Sequence, residues 1–345
     1  MKVFYWVADY SGCGYYRCLL PGSELAKRGH DVMADGRVVP DEAKNGECDV
    51  IVGQRVCTEG ASHTWQKLAR TARGTKLVFE TDDDLLSVDP SNKAARRFYD
   101  EGMRRRYVEN MAVADLVTTT TEALAERCAE INPNVVVLPN QVPAWLLEHS
   151  PNSATKTAFR SRVTIGWRGG TSHARDFGEL ARPLRQFLQH PKYRDRAEFH
   201  AMGAPYHERV ATRHGRVRWT GWHEGVADFL RAVDFDLAVI PLRPTPVNDL
   251  HSTPFNEYKS DLALVEMAAL GIPAIVSSTG PYIRTVLDDG APACLATDGS
   301  DWARLLRDLV DDTEAREQLG KQAREWAAGR TIEGNVWRWE EAYSS

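Results

Sequence analysis

The chain has 345 residues, of which 43% are hydrophobic and 26% are charged, and its formal net charge is −5 at pH 7. This length exceeds what one hydrophobic core usually serves, so two domains of roughly 150 residues each are expected. No stretch approaches the roughly 18 apolar residues that a membrane-spanning helix needs, and the composition is typical of a soluble globular protein. The acidic balance disfavours a broad, nonspecific nucleic-acid surface, because binding to phosphates normally needs a basic excess.

The chain start and the cysteines predict a cytoplasmic protein. The run KVFYWVA after Met1 is short, meets Asp9 and has no small-residue cleavage site, so it predicts a buried strand rather than an export signal. The six cysteines include no Cys-x-x-Cys pair. A chain of this size does not need disulfides to fold, so we expect reduced thiols and no structural zinc.

In the first half, short apolar runs alternate with helical patterns, which indicates βαβ units on a parallel sheet. A glycine turn, GCG, follows the first strand and leads into the first helix. The predicted strands are KVFYWVA, CDVIVGQ, TKLVFET, ADLVTTTT and NVVVLPNQV, and further helices are predicted over 62–73, 93–113 and 121–130. This pattern predicts a Rossmann-like domain over residues 1–150.

A polar stretch without periodicity, residues 148–162, is the predicted linker to a second domain. The same alternation then restarts, with strands at VTIGWRGG, AEFHAMG, VRWTGWH, FDLAVIPL, IPAIVSS and ACLAT, and helices between them. It predicts a second Rossmann-like domain over residues 160–330. The fold class is therefore α/β with two parallel sheets, and the expected ligand site is the cleft that their carboxyl edges face.

Three consecutive aspartates, Asp82, Asp83 and Asp84, end a predicted strand in the sequence FETDDDLL. They allow three interpretations: a metal-binding Asp-x-Asp, a pair of acid/base carboxylates, or a charged strand end that caps the next turn. Neighbouring residues of a strand point to opposite faces, which disfavours a glycosidase-like pair.

The stretch FNEYKSDLALVEMAALGIPAIVSS, residues 255–278, carries the strongest functional signal. Ser260 and Asp261 suit a helix N-terminus, and beside Lys259 such a terminus suits a diphosphate, because N–H groups and an ammonium both favour an anion. Glu266 is a lone carboxylate in an apolar helix. We expect it to have a partner, which is either paired sugar hydroxyls, the backbone or a nearby arginine.

These residues resemble the nucleotide-sugar signature of glycosyltransferase family 4 and its relatives of the GT-B fold, which occur in bacteria and bacteriophages. The resemblance implies that Glu266 binds the ribose hydroxyls of the donor. It also implies that Lys259 and Ser260, with Asn256 as a weaker candidate, contact the donor phosphates. Tyr258 stands where the family usually has a first glutamate, so the pattern is incomplete.

The resemblance extends to a glycine loop in each domain. In the second domain it implies that the backbone of Gly169, Gly170 and Thr171 approaches the diphosphate, with positive charge supplied by His173, Arg175 or Arg168. In the first domain it assigns acceptor contacts to a loop that comprises Gly12, Gly14, Tyr16 and Arg17. It further implies that the C-terminal helix, about 331–345, packs back on the first domain.

The expected function is that of a glycosyltransferase that needs a nucleotide-sugar and neither a metal nor another cofactor. By resemblance it retains the anomeric configuration. Lys259 would act on the donor phosphates, and Asp82 or Asp83 would bind or deprotonate the acceptor hydroxyl. The acceptor stays open among a glycan, a lipid-linked sugar, a protein and a modified nucleic acid. Two alternatives are a sugar-nucleotide epimerase of the same fold and a non-catalytic binding module.

Overall fold

The computed structural model describes residues 1–88, 100–149, 162–245 and 254–345, which form two compact units. Unit 1 consists of the described residues of Met1–Pro143 and Ile332–Ser345 together with residues 254–260. Unit 2 consists of the described residues of Ala144–Thr245 together with Asp261–Thr331. Residues 150–161 of the predicted linker and residues 93–99 of a predicted helix lie outside the described residues.

Unit 1 is built on a six-stranded sheet in which all neighbouring strands are parallel. Its strands are β1 (Lys2–Trp6), β2 (Asp31–Asp35), β3 (Val50–Gln54), β4 (Lys76–Glu80), β5 (Leu116–Thr119) and β6 (Val135–Val137). Their spatial order is β2-β1-β3-β4-β5-β6. Because the chain leaves β1 for one edge and returns to its other side with β3, the boundary between β1 and β3 is the topological switch point, where such sheets bind ligands.

Helices connect these strands. The first helix, α1, continues from Gly12–Gly14 through a π-helical turn, Tyr15–Leu19, into Leu20–Lys27. The others before unit 2 are α2 (Asp41–Lys44), α3 (Glu59–Thr71), α4 (Glu101–Ala112) and α5 (Glu122–Ala129). Trp65 of α3 and Phe79 of β4 are fully buried and pack edge to face, with their ring centroids 6.2 Å apart.

Unit 2 repeats the arrangement with its own parallel six-stranded sheet. Its strands are β7 (Val163–Gly169), β8 (Ala197–Gly203), β9 (Val217–Thr220), β10 (Leu237–Ile240), β11 (Ala274–Ser277) and β12 (Cys294–Ala296). The order β12-β11-β10-β7-β8-β9 places the switch point between β7 and β10. Phe177, Phe199 and Leu237 are fully buried in its core.

The helices of unit 2 begin with a short one and end with two long ones. They are α6 (Trp145–Glu148), α7 (Ala174–Gln189), α8 (His207–Val210), α9 (Val226–Arg231), α10 (Leu262–Ala269), α11 (Gly280–Leu287), α12 (Gly299–Asp311) and α13 (Thr313–Ala327). Short 3-10 turns of unit 2 lie at Thr171–His173 and Ala328–Arg330, and a third, Pro254–Tyr258, belongs to unit 1. Asp298 begins α12 by accepting hydrogen bonds from the N–H groups of Ser300 and Asp301, as N-cap aspartates do.

The chain ends with α14 (Ile332–Asn335) and α15 (Trp337–Ser344), both in unit 1. The hydroxyl groups of Tyr5 and Tyr343 are 3.2 Å apart in a buried contact. Lys76 donates from Nζ to the carbonyl oxygen of Ala342 at 2.9 Å. These bonds attach α15 to strands β1 and β4.

The predicted α/β class with two parallel sheets is confirmed. One strand, β2, escaped prediction because it lies at the edge of the sheet. It begins and ends with an aspartate and has no fully buried residue, so it lacks the apolar run that marks the other strands.

Gly166 of β7 allows the fully buried ring of Phe235 to pack against the strand, since a Cβ at this position would lie 1.9 Å from Phe235 Cγ. We expect Gly166→Ala to lower the free energy of unfolding by about 3 kcal/mol, because overpacking forces a backbone shift. The matched control is Gly178→Ala on α7, where a Cβ meets no atom within 4 Å among the described residues. It should raise stability by about 1 kcal/mol. Urea unfolding that ranks the two variants equally would contradict this packing.

Candidate functional site

The carboxyl edge of the unit 1 sheet collects charged residues from three neighbouring strands. Asp9 follows β1, Arg55 follows β3, and Asp82 and Asp83 follow β4. Because β1, β3 and β4 are adjacent and parallel, the loops after them leave the sheet at the same edge. Two of these loops flank the switch point, so the charges lie where a parallel sheet binds its ligand.

Arg55 stands between two carboxylates. Its Nη2 is 2.5 Å from Asp9 Oδ2, and its Nη1 is 3.7 Å from Asp82 Oδ1. The other oxygen of Asp9, Oδ1, accepts hydrogen bonds from the N–H and hydroxyl groups of Ser11. Asp9 therefore fixes both its own loop and the guanidinium of Arg55.

Asp82 Oδ1 is buried, and among the described residues no hydrogen-bond donor contacts it. A buried acceptor without a donor is destabilising by about 1–3 kcal/mol, so this oxygen is suited to a hydroxyl brought by a ligand. Burial raises the pKa of Asp82, but the Arg55 guanidinium and a hydrogen bond from the Cys13 thiol outweigh it, and the pKa falls below its usual value. Asp82 is thus ionised at neutral pH.

Asp83 has a different partner and the opposite pKa shift. Lys259 places its Nζ 3.3 Å from Asp83 Oδ1 and 4.5 Å from the centre of the Phe255 ring. Burial raises the pKa of Asp83; the Lys259 ammonium opposes this, but the charge of Asp82 adds to it, and the net shift is upward. The two neighbouring carboxylates therefore differ in proton affinity, as acid/base pairs often do.

Asp84 has a structural role. Its Oδ1 accepts the N–H of Leu86 at 2.9 Å, its Oδ2 accepts the hydroxyl of Ser87, and Arg127 lies 3.5 Å away. This aspartate caps the turn after β4, which is the third interpretation that its sequence position allowed. Throughout the described ranges, no group of three or more His, Cys, Asp or Glu side chains is placed to hold a metal ion.

Residues 254–260, which carry the predicted donor contacts Asn256, Lys259 and Ser260, belong to unit 1. Thr121 donates to the carbonyl oxygen of Tyr258 at 3.2 Å, and Asn140 donates to the hydroxyl of Ser260 at 2.9 Å. Asn256 is half-buried in the 3-10 turn. These bonds, together with the Lys259–Asp83 ion pair, place the segment at the carboxyl edge of the unit 1 sheet.

The structure corrects the prediction that Arg17 contacts an acceptor or anion. Its side chain is 1% exposed and forms a bidentate pair with Glu80, with Nε to Oε1 at 2.7 Å and Nη2 to Oε2 at 3.1 Å. The remaining guanidinium donors bond to Leu138 O, Asn140 Oδ1 and Thr119 O. Since every N–H donor is used inside unit 1, Arg17 has none for a ligand. Its neighbour Tyr16 is also buried.

In the loop after β1, close packing requires a glycine at Gly14 but not at Gly12. A Cβ at Gly14 would lie 1.6 Å from the carbonyl oxygen of Asp9, so packing alone explains this glycine. A Cβ at Gly12 would meet no atom within 4 Å among the described residues. Only Gly12 has the free space next to its backbone that a bound ligand would need.

The glycine loop of unit 2 follows β7 and shows the same contrast. A Cβ at Gly169 would lie 2.6 Å from the Trp167 ring, whereas a Cβ at Gly170 would meet its nearest atom, Ser172 Oγ, at 3.7 Å. The next residue, Thr171, begins a 3-10 turn and is exposed. Packing therefore requires Gly169, while the backbone at Gly170 is open to approach.

Charged residues around this loop are paired within unit 2. His173 donates from Nδ1 to Asp176 Oδ2 at 2.9 Å, and the other oxygen of Asp176 accepts the N–H of Arg243 at 3.0 Å. Asp176 thereby links the loops after β7 and β10, which flank the switch point. Arg175 lies on the exposed side of α7.

Glu266, in α10, is buried and forms an ion pair with Arg168 at the end of β7. The expectation of a partner is confirmed, and that partner is the nearby arginine that the sequence left as one alternative. Asp261, at the start of α10, is bound by Arg330 through both carboxylate oxygens, at 3.0 and 3.1 Å, rather than by the helix N–H groups. The side chain of Asp261 therefore does not occupy the N–H groups at this helix end.

Sequence reasoning missed Asp9, Arg55, Cys13 and Asp176. Each follows a strand or opens a helix at a switch point, and a search for charged residues directly after the predicted strands finds Asp9 and Arg55. Cys13 and Asp176 carry no such signal, because their roles depend on side-chain partners that only the folded chain brings together.

Two parallel six-stranded sheets of this order define the GT-B fold, which several solved structures share. HepE from Anabaena in complex with UDP-glucose has a TM-score of 0.70 at 16% identity, covering 100% of both chains. Sucrose-phosphate synthase from Thermosynechococcus elongatus has a TM-score of 0.69 at 14% identity, covering 99% of this chain and 98% of that one. A glycosyltransferase from Rickettsia africae has a TM-score of 0.64 at 11% identity, with coverages of 99% and 97%. At these identities the likeness establishes the fold.

A family comparison matches part of the chain, most of it within unit 2. Residues 169–312 match the family described as Glycosyl transferases group 1. The resemblance to GT-B glycosyltransferases that the sequence indicated is thereby confirmed. No curated protein sequence matches this chain. None of the helices in the described residues is both long and apolar enough to cross a membrane.

The burial of Arg17 predicts a large loss of stability on its removal. Arg17→Met leaves the buried Glu80 without its cation inside unit 1, which should lower the free energy of unfolding by about 3–5 kcal/mol. The matched control, Arg105→Met on the exposed face of α4, should change it by less than about 0.5 kcal/mol. Urea unfolding followed by circular dichroism measures both, and an Arg17→Met variant as stable as the wild type would contradict the buried pair.

Proposed function

We propose that this chain transfers a sugar from a nucleotide-sugar donor to a hydroxyl group of an acceptor, without a metal and with retention of configuration. The match of residues 169–312 to the group 1 glycosyltransferases supports a glycosyltransferase. The structural neighbour HepE was solved in complex with UDP-glucose and with UDP, which supports a nucleotide-sugar as the donor. The reaction keeps the nucleotide-sugar as a co-substrate and uses no further cofactor.

The observation that carries the proposal is the buried Oδ1 of Asp82 at the carboxyl edge of unit 1, which faces Arg55 Nη1 at 3.7 Å and accepts no hydrogen bond from the described residues. An ionised carboxylate oxygen in this environment accepts the hydrogen bond of an acceptor hydroxyl and orients its oxygen for attack. Asp83, with its raised pKa and its Lys259 partner, is the second candidate for this contact.

Departure of the donor diphosphate requires positive groups where negative charge develops. For this role we propose Lys259 with Ser260 and Asn256, and in unit 2 the backbone of Gly169, Gly170 and Thr171. His173, Arg175 and Arg168 are the candidate cations of that loop. Glu266 is proposed to accept hydrogen bonds from ribose hydroxyls while paired with Arg168, since a carboxylate has acceptor sites for both.

In a retaining reaction the donor phosphate lies close to the incoming hydroxyl, so no separate protein base is needed for the proton. Asp82 then serves mainly to bind and orient the acceptor. The acceptor class stays open among a glycan, a lipid-linked sugar, a protein and a modified nucleic acid, and the protein is expected in the cytoplasm.

A panel of nucleotide-sugars tests the donor. Purified protein is incubated with each compound, and release of the nucleoside diphosphate is followed by chromatography. Conversion of one sugar nucleotide into another without release would favour an epimerase, and binding without turnover of any compound would favour a non-catalytic module.

Lys259→Ala should weaken donor binding about 10–100-fold and abolish transfer, because a charge-assisted contact to the diphosphate is lost. The control is Lys44→Ala on α2, whose ammonium pairs with Asp41 at 3.0 Å on the surface of unit 1. Calorimetric titration with the donor found in the panel gives the dissociation constants. Unchanged affinity and turnover in Lys259→Ala would remove Lys259 from the donor site.

Asp82→Asn should leave donor binding within about twofold of the wild type and lower transfer by a factor of about 100 or more, since the acceptor contact is lost while the donor contacts remain. Asp41→Asn, at an 88% exposed side chain, is the control for loss of one negative charge. Donor affinity that falls together with transfer would place Asp82 on the donor side instead.

A further inference from the structure

Arg55 has a backbone conformation that side chains rarely adopt. Its φ is +49°, and among the described residues it is the one non-glycine residue with a positive φ. The left-handed region is unfavourable by about 1–2 kcal/mol for a residue with a Cβ, and glycine avoids this strain. Glycine would adopt this conformation without strain, so an arginine at this position indicates a role for its side chain.

A backbone hydrogen bond and an ion pair fix where the guanidinium of Arg55 lies. The N–H of Arg55 bonds to the carbonyl oxygen of Glu80 at 2.9 Å, which ties the turn after β3 to the end of β4. The side chain is 14% exposed and reaches across the switch point to Asp9, its closest partner at 2.5 Å. Asp9 is itself held by Ser11, so Arg55 is fixed from the backbone and from its far end.

Arg55 interacts differently with the carboxylates of Asp9 and Asp82. It forms a close ion pair with Asp9, but its nearer nitrogen to Asp82 stays 3.7 Å from Oδ1. At that separation the positive charge still favours the ionised carboxylate, while the hydrogen-bonding capacity of Oδ1 is not consumed. Asp82 is thus kept ionised while its buried Oδ1 accepts no hydrogen bond from the described residues.

Other charged and titratable groups also face Asp82. They come from the helix after β1, from β4 and its loop, and from α4, and they are Cys13, Arg17, Cys18, Glu80, Asp83 and Tyr107. Arg17 is occupied by Glu80, and Lys259 faces Asp83. Arg55 is therefore the cation with the largest effect on the charge of Asp82.

We propose that Arg55 is a positioning residue for acceptor binding, which holds Asp82 ionised and leaves Oδ1 able to accept a hydrogen bond from the acceptor hydroxyl. This inference rests on the proposed glycosyl transfer and adds to it the residue that sets the state of the acceptor-binding carboxylate. Asp9 holds the guanidinium of Arg55 in place through its ion pair and is therefore part of the same positioning interaction.

Arg55→Gly separates positioning from a structural role, because it removes the guanidinium and the backbone strain together. We expect its Tm to stay within about 3 °C of the wild type, since relief of strain offsets the lost ion pairs. The kcat/KM for the acceptor should fall about 10–100-fold with the donor dissociation constant unchanged. The acidic limb of the pH–rate profile should move up by about one pH unit, because Asp82 without Arg55 binds its proton at higher pH.

Two further variants and a control sharpen the test. Arg55→Lys keeps a positive charge and should leave the acidic limb within about half a pH unit of the wild type. Asp9→Asn loosens the anchor and should shift the limb in the same direction as Arg55→Gly, but less. Arg105→Ala, at a 71% exposed side chain on α4, should match the wild type in every measurement.

A direct titration completes the experiment. The protein is labelled with [4-¹³C]aspartate, the Asp82 signal is assigned with Asp82→Asn, and its midpoint is compared between wild type and Arg55→Gly. An upward shift is expected. An unshifted midpoint, or a loss of rate that only follows a loss of Tm, overturns the role of Arg55 while the transferase function stands. A wild-type protein that turns over no nucleotide-sugar overturns the proposed function first, and this inference with it.

Discussion

The buried pair of Arg17 and Glu80 organises the carboxyl edge of the unit 1 sheet. Through one guanidinium it connects α1, the ends of β4 and β5, and the segment after β6. A buried ion pair is stabilising only when all its polar atoms are satisfied, and here Thr118 donates to Glu80 at 2.5 Å in addition to the arginine. The loops that carry Asp82 and Asn140 thereby start from fixed points.

Above this pair the three aspartates of FETDDDLL have three separate environments. Asp84 accepts a hydrogen bond within its own turn, and Asp83 forms an ion pair with Lys259. Asp82 faces the positive charge of Arg55, but its Oδ1 accepts no hydrogen bond from the described residues. Two adjacent ionised carboxylates repel each other, and besides burial the charge of Asp82 raises the pKa of Asp83 in this way. Different cations on the two sides allow both to be present, one ionised and one with a raised pKa.

Every described strand except β2 could be predicted from the sequence, because most strands are short apolar runs and parallel sheets are buried on both faces. The position of Asp82 after the end of β4 was also predicted correctly, because it follows directly from the predicted strand. Arg17 was misjudged because a position at a helix start does not reveal whether a carboxylate lies beneath it. The positive φ of Arg55 and the pairing of Arg168 with Glu266 depend on contacts between residues far apart in the chain, so local pattern does not contain them.

The π-helical turn in α1 makes the segment after β1 sensitive to a change in its length. Three consecutive residues of this turn, Tyr16, Arg17 and Cys18, are buried, and such single π-turns often lie at functional sites. The turn amounts to one residue inserted into an otherwise regular helix. Deleting one residue there would turn the N-terminal end of α1 by about 100° relative to the rest. Cys13 would then leave Asp82 while Arg17 kept its place, so the length of this segment, more than its composition, is what the loop must preserve.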